Sequence, residues 1–251
     1  MKNYKLVTNR SGFLSVDPLP SDLDINNFYK NYFKNDSPSE YSANYTEDEV
    51  KHKRLLYDAL LHLITNQIGT MSKKTYFEIG YGEGFSLAAA SKLGACIYGI
   101  DFSKDGLRRC NKDLVDIVIE GDALNFSAWP ILDAPLDVVV MTNVLEHVKF
   151  PHNLMEQLRQ FVSESGLLIV TVPNDNNVLQ YLAGDTSWIA PPEHLHYFSV
   201  ESFSRFANEC GFKVIDKMGS FPIDIFKVNK FSNYINNPTR GREAHRVRVT
   251  V

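Results

Sequence analysis

The sequence predicts an α/β fold, a mostly parallel sheet with helices on both faces. Three observations predict it. Short apolar runs alternate with amphipathic stretches between residues 46 and 220. A glycine-rich turn, Glu78-Ile79-Gly80-Tyr81-Gly82-Glu83-Gly84, follows the first confident strand. Acids then stand at the ends of the next strands, at Asp101 and Asp122. Strands joined through helices imply right-handed crossovers and therefore a parallel sheet.

The elements follow in order. Thr46 with Glu49 three residues on makes a capping box, and Leu56, Ala59, Leu60, Leu63 and Ile64 recur at helical spacing until Gly69. Thr75 to Ile79 reads as a strand and Phe85 to Leu93 as a helix stopped by Gly94. Ala95 to Ile100, Val115 to Ile119 and the β-branched run Leu136 to Thr142 read as further strands. Pro151 opens a helix carrying Leu154, Met155, Leu158, Phe161 and Val162, since proline suits a first turn. Leu167 to Val172 is the next strand, Ser199 caps a helix running to Cys210 and Gly211, and Val214 to Ile215 begins a last strand.

Composition narrows the function. The chain has 251 residues, 44% hydrophobic and 22% charged, which suits a soluble globular protein. A net charge of -4 opposes general nucleic-acid binding, so a small molecule is expected as substrate in place of a polyanionic polymer. Cys96, Cys110 and Cys210 lack CxxC spacing and are expected to be reduced thiols, not a disulfide framework or zinc site. The polar start, Met1 to Arg10, predicts no signal peptide, and no apolar run nears the roughly 20 residues of a membrane span. A cytoplasmic protein without membrane association is the expectation. Three segments follow: an aromatic-rich N-terminal segment at 1–45, a catalytic domain at 46–220 and a C-terminal extension at 221–251 that completes the sheet. Phe28, Tyr29, Tyr32, Phe33, Tyr41 and Tyr45 mean that the first segment folds over something, either the domain surface or, as a lid, a ligand.

The glycine turn discriminates between ligands. Gly80 permits a sharp turn, and Gly82 and Gly84 let backbone approach a ligand closely. A dinucleotide loop follows G-x-G-x-x-G, whereas here the third glycine comes one residue early and Phe85 follows it. Glu78 and Glu83 would oppose a pyrophosphate but suit a cation. S-Adenosylmethionine carries an ammonium and a sulfonium and no phosphate. Asp101, 21 residues after Gly80, matches the acid that accepts ribose hydroxyls, and Asp122 is placed to accept from an adenine amino group.

The pattern E-x-G-x-G-x-G, the acid in Tyr98-Gly99-Ile100-Asp101, the step Gly121-Asp122-Ala123 and the run Val144-Leu145-Glu146-His147 resemble class I S-adenosylmethionine-dependent methyltransferases. The likeness covers roughly residues 50 to 220 and is nearest to small-molecule enzymes of the ubiquinone and menaquinone biosynthesis type. The ends of the chain resemble bacterial enzymes that tailor sugars or secondary metabolites, without the cysteine-rich N-terminal metal module of some relatives. The resemblance implies a Rossmann-like seven-stranded sheet whose last strand is antiparallel. It implies cofactor contacts at Glu78, Gly80, Tyr81, Gly82, Gly84, Asp101, Phe102, Asp122, Ala123, Asn143 and Val144. The expected reaction is methyl transfer to a hydroxyl of a sugar or secondary metabolite.

Such an acceptor needs a base. The long loop from Pro173 to Pro192 ends in Glu193-His194-Leu195-His196-Tyr197-Phe198, and His194 and His196 share a face if the segment is extended. His194 is the first candidate, and His147 and His196 are the others; each either titrates with the acceptor or fixes its loop. His147 can also pair with Glu146 towards a metal, but the sequence supplies too few further ligands, so no metal is expected. Arg240, Arg242, Arg246 and Arg248 are either a solvated edge strand or a phosphate clamp. A catalytically silent partner subunit of the same fold and an NAD-dependent oxidoreductase are the competing readings.

Overall fold

The computed structural model describes residues 4–29, 45–129, 135–175, 177–183, 191–219 and 225–228, with single residues at 239 and 243. The chain begins with β1 (Lys5–Thr8), β2 (Leu14–Asp17) and α1 (Asp22–Tyr29). The domain then runs through α2 (Glu47–Ile68), β3 (Thr75–Ile79), α3 (Phe85–Lys92), β4 (Cys96–Asp101), α4 (Asp105–Cys110) and β5 (Ile119–Glu120). It continues with β6 (Leu136–Thr142), α5 (Pro151–Phe161), β7 (Val162–Thr171), α6 (Val178–Ala183), β8 (His196–Tyr197), α7 (Val200–Glu209) and α8 (Ile225–Val228).

The central sheet has the order β5-β4-β3-β6-β7, and every neighbouring pair is parallel. The chain order reverses between β3 and β6, so the end of β3 opens onto the crevice where such sheets take ligands. Alternation along β3 and β6 divides the core. Phe77, Ile79, Val139 and Met141 pack with Leu154, Met155, Leu158 and Phe206 on the α5 and α7 face. Tyr76, Val138 and Val140 pack with Leu61, Ile64, Leu87 and Ala90 on the α2 and α3 face. Both faces are apolar, as a sheet covered on both sides requires.

The caps anticipated from sequence are present. Thr46 and Glu49 form the reciprocal capping box of α2, and Ser199 accepts from the Ser202 amide at the start of α7. Gly69, Gly94 and Gly211 take positive φ at the ends of α2, α3 and α7.

Three strand expectations need correction. Val115 to Ile119 is mostly a turn after a 3-10 segment at Lys112–Leu114, and only Ile119–Glu120 reaches the edge of β4. The strand expected at Leu167 starts at Val162, because an irregularity between Leu136 and Val138 absorbs the polar run Ser163-Glu164-Ser165-Gly166. The chain at Val214 and Ile215 forms no strand; among the described residues the central sheet has five parallel strands, and most of 221–251, expected to complete it, lies outside them.

The N-terminal segment adds a second, antiparallel sheet of order β1-β2-β8. Val16, Ile25, Leu195 and Tyr197 form its core with Tyr29 against it. Ser11 pins the hairpin turn to the main domain: it donates to Glu209 and lies 3.0 Å from His152 Nε2. Lys149 Nζ meets Asp22 Oδ1 at 2.6 Å and ties α1 to the loop after β6. Tyr32, Phe33, Tyr41, the Asn237 to Arg242 run apart from Thr239, and the arginines Arg240, Arg242, Arg246 and Arg248 lie outside the described residues. No helix among the described residues is long and apolar enough to cross a membrane.

Candidate functional site

The glycine turn at the end of β3 has a distinct reason for each glycine. Gly80, Gly82 and Gly84 have φ of 74°, 50° and 74°, the left-handed region that favours glycine. A Cβ on Gly80 would lie 2.3 Å from Val144 Cγ2, and one on Gly84 would lie 2.2 Å from Leu107 Cδ2. Those two glycines are therefore required by the protein's own packing. A Cβ on Gly82 would meet no protein atom within 4 Å. That open face is the place where a ligand can rest against backbone.

The carboxylates sort into different duties. Glu78 follows the inward alternation of β3 and is 1% exposed, with Oε2 lacking any hydrogen-bond partner. Burial pushes its carboxyl well above the usual carboxylate range. A cation brought beside it would relieve that cost. Glu83 does not share this duty: it accepts from the Tyr45 hydroxyl and lies 3.7 Å from Lys53 Nζ, so its charge is already met.

Asp101 closes the turn from β4. Its Oδ2 accepts the Gly82 amide at 2.9 Å and its Oδ1 accepts the Ser103 amide at 3.2 Å. Each oxygen keeps a second lone pair, so the carboxylate can also receive ligand hydroxyls. Burial pushes its pKa up to about 6, against the opposing pull of those amides. Asp122 is exposed and uses Oδ1 to accept the Leu124 amide at 2.8 Å. Ala123 sits behind it, its carbonyl accepting from Trp129 Nε1 at 3.0 Å. Asn143 ends β6 with φ of 52°, its amide donating to the Thr171 carbonyl at 2.9 Å, and Val144 fills the notch above Gly80.

One expected ligand contact is a packing residue. Tyr81 is 3% exposed, its ring lies against Gly99 and its hydroxyl donates to the Ile119 carbonyl at 3.1 Å. Its side chain thus locks the turn onto β4 and β5 and leaves only its backbone to a ligand.

Beyond the turn, the segment after β6 and the segment before β8 are stitched together. The Leu195 amide donates to the Glu146 carbonyl at 2.8 Å, and His147 Nδ1 lies 2.7 Å from the Glu193 carbonyl. A carbonyl can only accept, so Nδ1 carries the proton and Nε2 keeps its lone pair. His147 Nε2 stands 3.6 Å from Glu146 Oε1, and the His147 and His194 rings meet at 4.8 Å between centroids. Burial lowers the His147 pKa to about 3, lowers that of His194, and raises that of Glu146 to about 8.

His196 is separate in kind. Its Nε2 donates to the Val148 carbonyl at 3.0 Å, leaving Nδ1 to accept from Ser15 Oγ at 2.8 Å. With both ring nitrogens engaged it is a strut joining β8 to β2. Extended spacing alone could not separate the two histidines. Glu146 was the residue missed as a site candidate; its adjacency to His147 was visible, its burial was not.

Tyr29 joins the two halves of the site. Its ring stacks on Phe102 and also meets the His147 ring edge-on, 6.1 Å between centroids. The turn that suits a cationic ligand and the histidine cluster thus share one boundary.

Comparisons with known proteins agree with this geometry. A methyltransferase-domain family matches residues 51–217. The ubiquinone biosynthesis O-methyltransferase of Glaesserella parasuis serovar 5 is 28% identical over 135 residues, covering 51% of this chain and 57% of that protein. The ribosomal protein L11 methyltransferase of Helicobacter hepaticus is 33% identical over 106 residues, covering 39% of this chain and 31% of that protein. The chain therefore spans from a third to just over half of the length of these curated relatives. Among solved structures, the magnesium protoporphyrin IX methyltransferase of Synechocystis PCC 6803, with bound SAH, has a TM-score of 0.54 at 14% identity, covering 78% of this chain and 88% of that one. A SAM-dependent methyltransferase from Archaeoglobus fulgidus has a TM-score of 0.51 at 18% identity, covering 76% and 86%. At these identities the structural likeness speaks for the fold.

Proposed function

The chain belongs to the methyltransferase-domain family, and from that premise we propose that it transfers the methyl group of S-adenosylmethionine to a hydroxyl of a small molecule, a sugar or secondary metabolite. When bound, S-adenosylmethionine supplies a methyl carbon on a sulfonium, which a hydroxyl oxygen attacks in line as the C–S electron pair returns to sulfur. The chain's own residues bind, orient and exclude water.

The buried, unpartnered Glu78 oxygen carries the cofactor part of this reading, since it suits a cation and repels a phosphate. The bare face of Gly82 receives the methionine portion, Asp101 takes the ribose hydroxyls and Asp122 the adenine amino group. Phe102 and Val144 supply apolar walls. Family membership together with Glu78 sets aside the NAD-dependent oxidoreductase.

The acceptor part rests on the cluster of Glu146, His147 and His194, which adjoins the Tyr29–Phe102 stack. It offers lone pairs to a polar acceptor where the cofactor turn meets the N-terminal segment. Residues 4–29 then act as the acceptor-side wall, with α1 as its cover. The test is turnover: S-adenosylhomocysteine formation is measured with a panel of sugars, nucleotide-linked sugars and catechols. Formation only in the presence of a hydroxyl acceptor supports the reading. Cofactor binding with no turnover on any acceptor class would instead favour a silent partner subunit.

A further inference from the structure

We propose that Glu146, His147 and His194 form a binding site for a divalent transition-metal ion, zinc foremost, with open positions for an oxygen ligand. One ligand atom from each of the three residues lies within 4.8 Å of the others. The proximity gains meaning from what these atoms lack. Glu146 is fully buried, and neither of its carboxylate oxygens has a hydrogen-bond partner. His194 Nδ1 is likewise buried and unpartnered. Buried polar atoms in proteins are as a rule hydrogen-bonded, so three orphans gathered in one cluster call for a shared partner.

Tautomer decides which kind of partner. His147 gives its Nδ1 proton to the Glu193 carbonyl, leaving the Nε2 lone pair 3.6 Å from Glu146 Oε1. Once Glu146 is ionised two acceptors face each other, and a cation between them turns repulsion into coordination. An imidazole whose far N–H is held by a carbonyl is the usual form of a histidine metal ligand. Zinc takes nitrogen and carboxylate oxygen at about 2.0–2.2 Å, which sets tetrahedral ligand atoms about 3.4 Å apart. The Glu146–His147 spacing already approaches this.

The donor set narrows the metal. Two imidazoles and one carboxylate suit zinc or iron(II) and leave positions open, whereas magnesium and calcium favour all-oxygen sites. The scaffold is prepared for it: the Leu195 amide on the Glu146 carbonyl holds the two segments in register, and the Tyr197 hydroxyl on the His194 carbonyl fixes the backbone that carries His194. An acceptor hydroxyl is the natural oxygen for an open position. That last clause rests on the methyl-transfer reading, but binding of the ion does not. His147 and His194 then act as ligands, and the acceptor is acidified by the ion.

The test is made on the full chain, stripped with chelator and titrated with Zn²⁺ alone, then with Co²⁺ for its visible absorption. One ion per chain is expected, with d–d bands characteristic of nitrogen and oxygen ligands. Glu146→Gln and His194→Gln should each weaken binding at least tenfold, and His62→Ala, on the exposed part of α2, should leave it unchanged. Circular dichroism confirms that each variant is folded; if Glu146→Gln is not, His194→Gln alone decides. Absence of one-to-one binding, or equal affinity in wild type and folded His194→Gln, overturns the site. Either outcome is independent of S-adenosylmethionine turnover, so this inference can fail while the proposed activity stands, and the reverse.

Discussion

The ring of Tyr29 lies face to face with that of Phe102, with centroids 5.0 Å apart and planes within 8° of parallel. One residue belongs to the N-terminal helix and the other to the turn after β4, so this stack fastens the added segment to the strand-end edge of the central sheet.

Tyr29→Ala should loosen α1 without unfolding the domain. An aromatic pair contributes about 0.5–1.5 kcal/mol beyond its buried area. Hydrogen exchange should quicken across Asp22–Tyr29 while β3 and β6 keep wild-type protection. Unchanged exchange in α1 would show that the Ile25 and Val16 contacts suffice to hold it.

Gly80 and Val144 should behave as a coupled pair. In Gly80→Ala the positive φ costs about 1–2 kcal/mol, and the overlap with Val144 Cγ2 costs about 1–3 kcal/mol more. Adding Val144→Ala should recover the overlap part and leave the backbone part. Urea unfolding of the double-mutant cycle measures both, and strict additivity would refute the contact.

Cofactor affinity should depend on pH through Asp101. Its carboxyl, pushed up to about 6 by burial, is ionised at pH 7.5 and protonated at pH 5. Ribose hydroxyls need an acceptor, so affinity is full above about 6 and falls as pH drops through it, by up to about tenfold at pH 5. Asp101→Asn should flatten that profile. It should weaken binding at neutral pH by about 1.5–3 kcal/mol. Because Asp101 also holds the Gly82 amide, methionine-only fragments should lose part of the same affinity. A pH-independent wild type would remove Asp101 from the cofactor.

Much of this fold is legible in local pattern. Thr75–Ile79 and Leu136–Thr142 are apolar runs bounded by turn residues, and both are central strands. Pro151, Thr46 and Ser199 mark helix starts by chemistry that acts within a single turn. Val115 to Ile119 has the same apolar pattern, yet edge position leaves only its last residue paired with β4. The hairpin Lys5–Thr8 and Leu14–Asp17 escapes notice because it depends on pairing with His196–Tyr197, far along the chain. The site divides similarly. The placement of Gly80, Asp101 and Asp122 beside strand ends is legible, whereas the surroundings of Tyr81, Glu146 and His196 depend on burial and distant partners.

His196→Ala should cost stability and leave methyl transfer intact. It strips partners from the Val148 carbonyl and Ser15 Oγ, at about 1–3 kcal/mol for buried groups left unpaired. Thermal and urea unfolding should register the loss. Near-native stability with lost turnover would instead return His196 to the chemistry.

The central claim is that the Gly80–Gly84 turn holds S-adenosylmethionine, and calorimetric titration of wild type and Gly82→Val tests it most directly. A Cβ at Gly82 meets no protein atom, so the variant should fold, less about 1–2 kcal/mol for its backbone. The account predicts one S-adenosylmethionine per wild-type chain, no heat with NAD, and no S-adenosylmethionine binding by folded Gly82→Val. Wild-type affinity in that variant, or a wild type that binds NAD in place of S-adenosylmethionine, would contradict it.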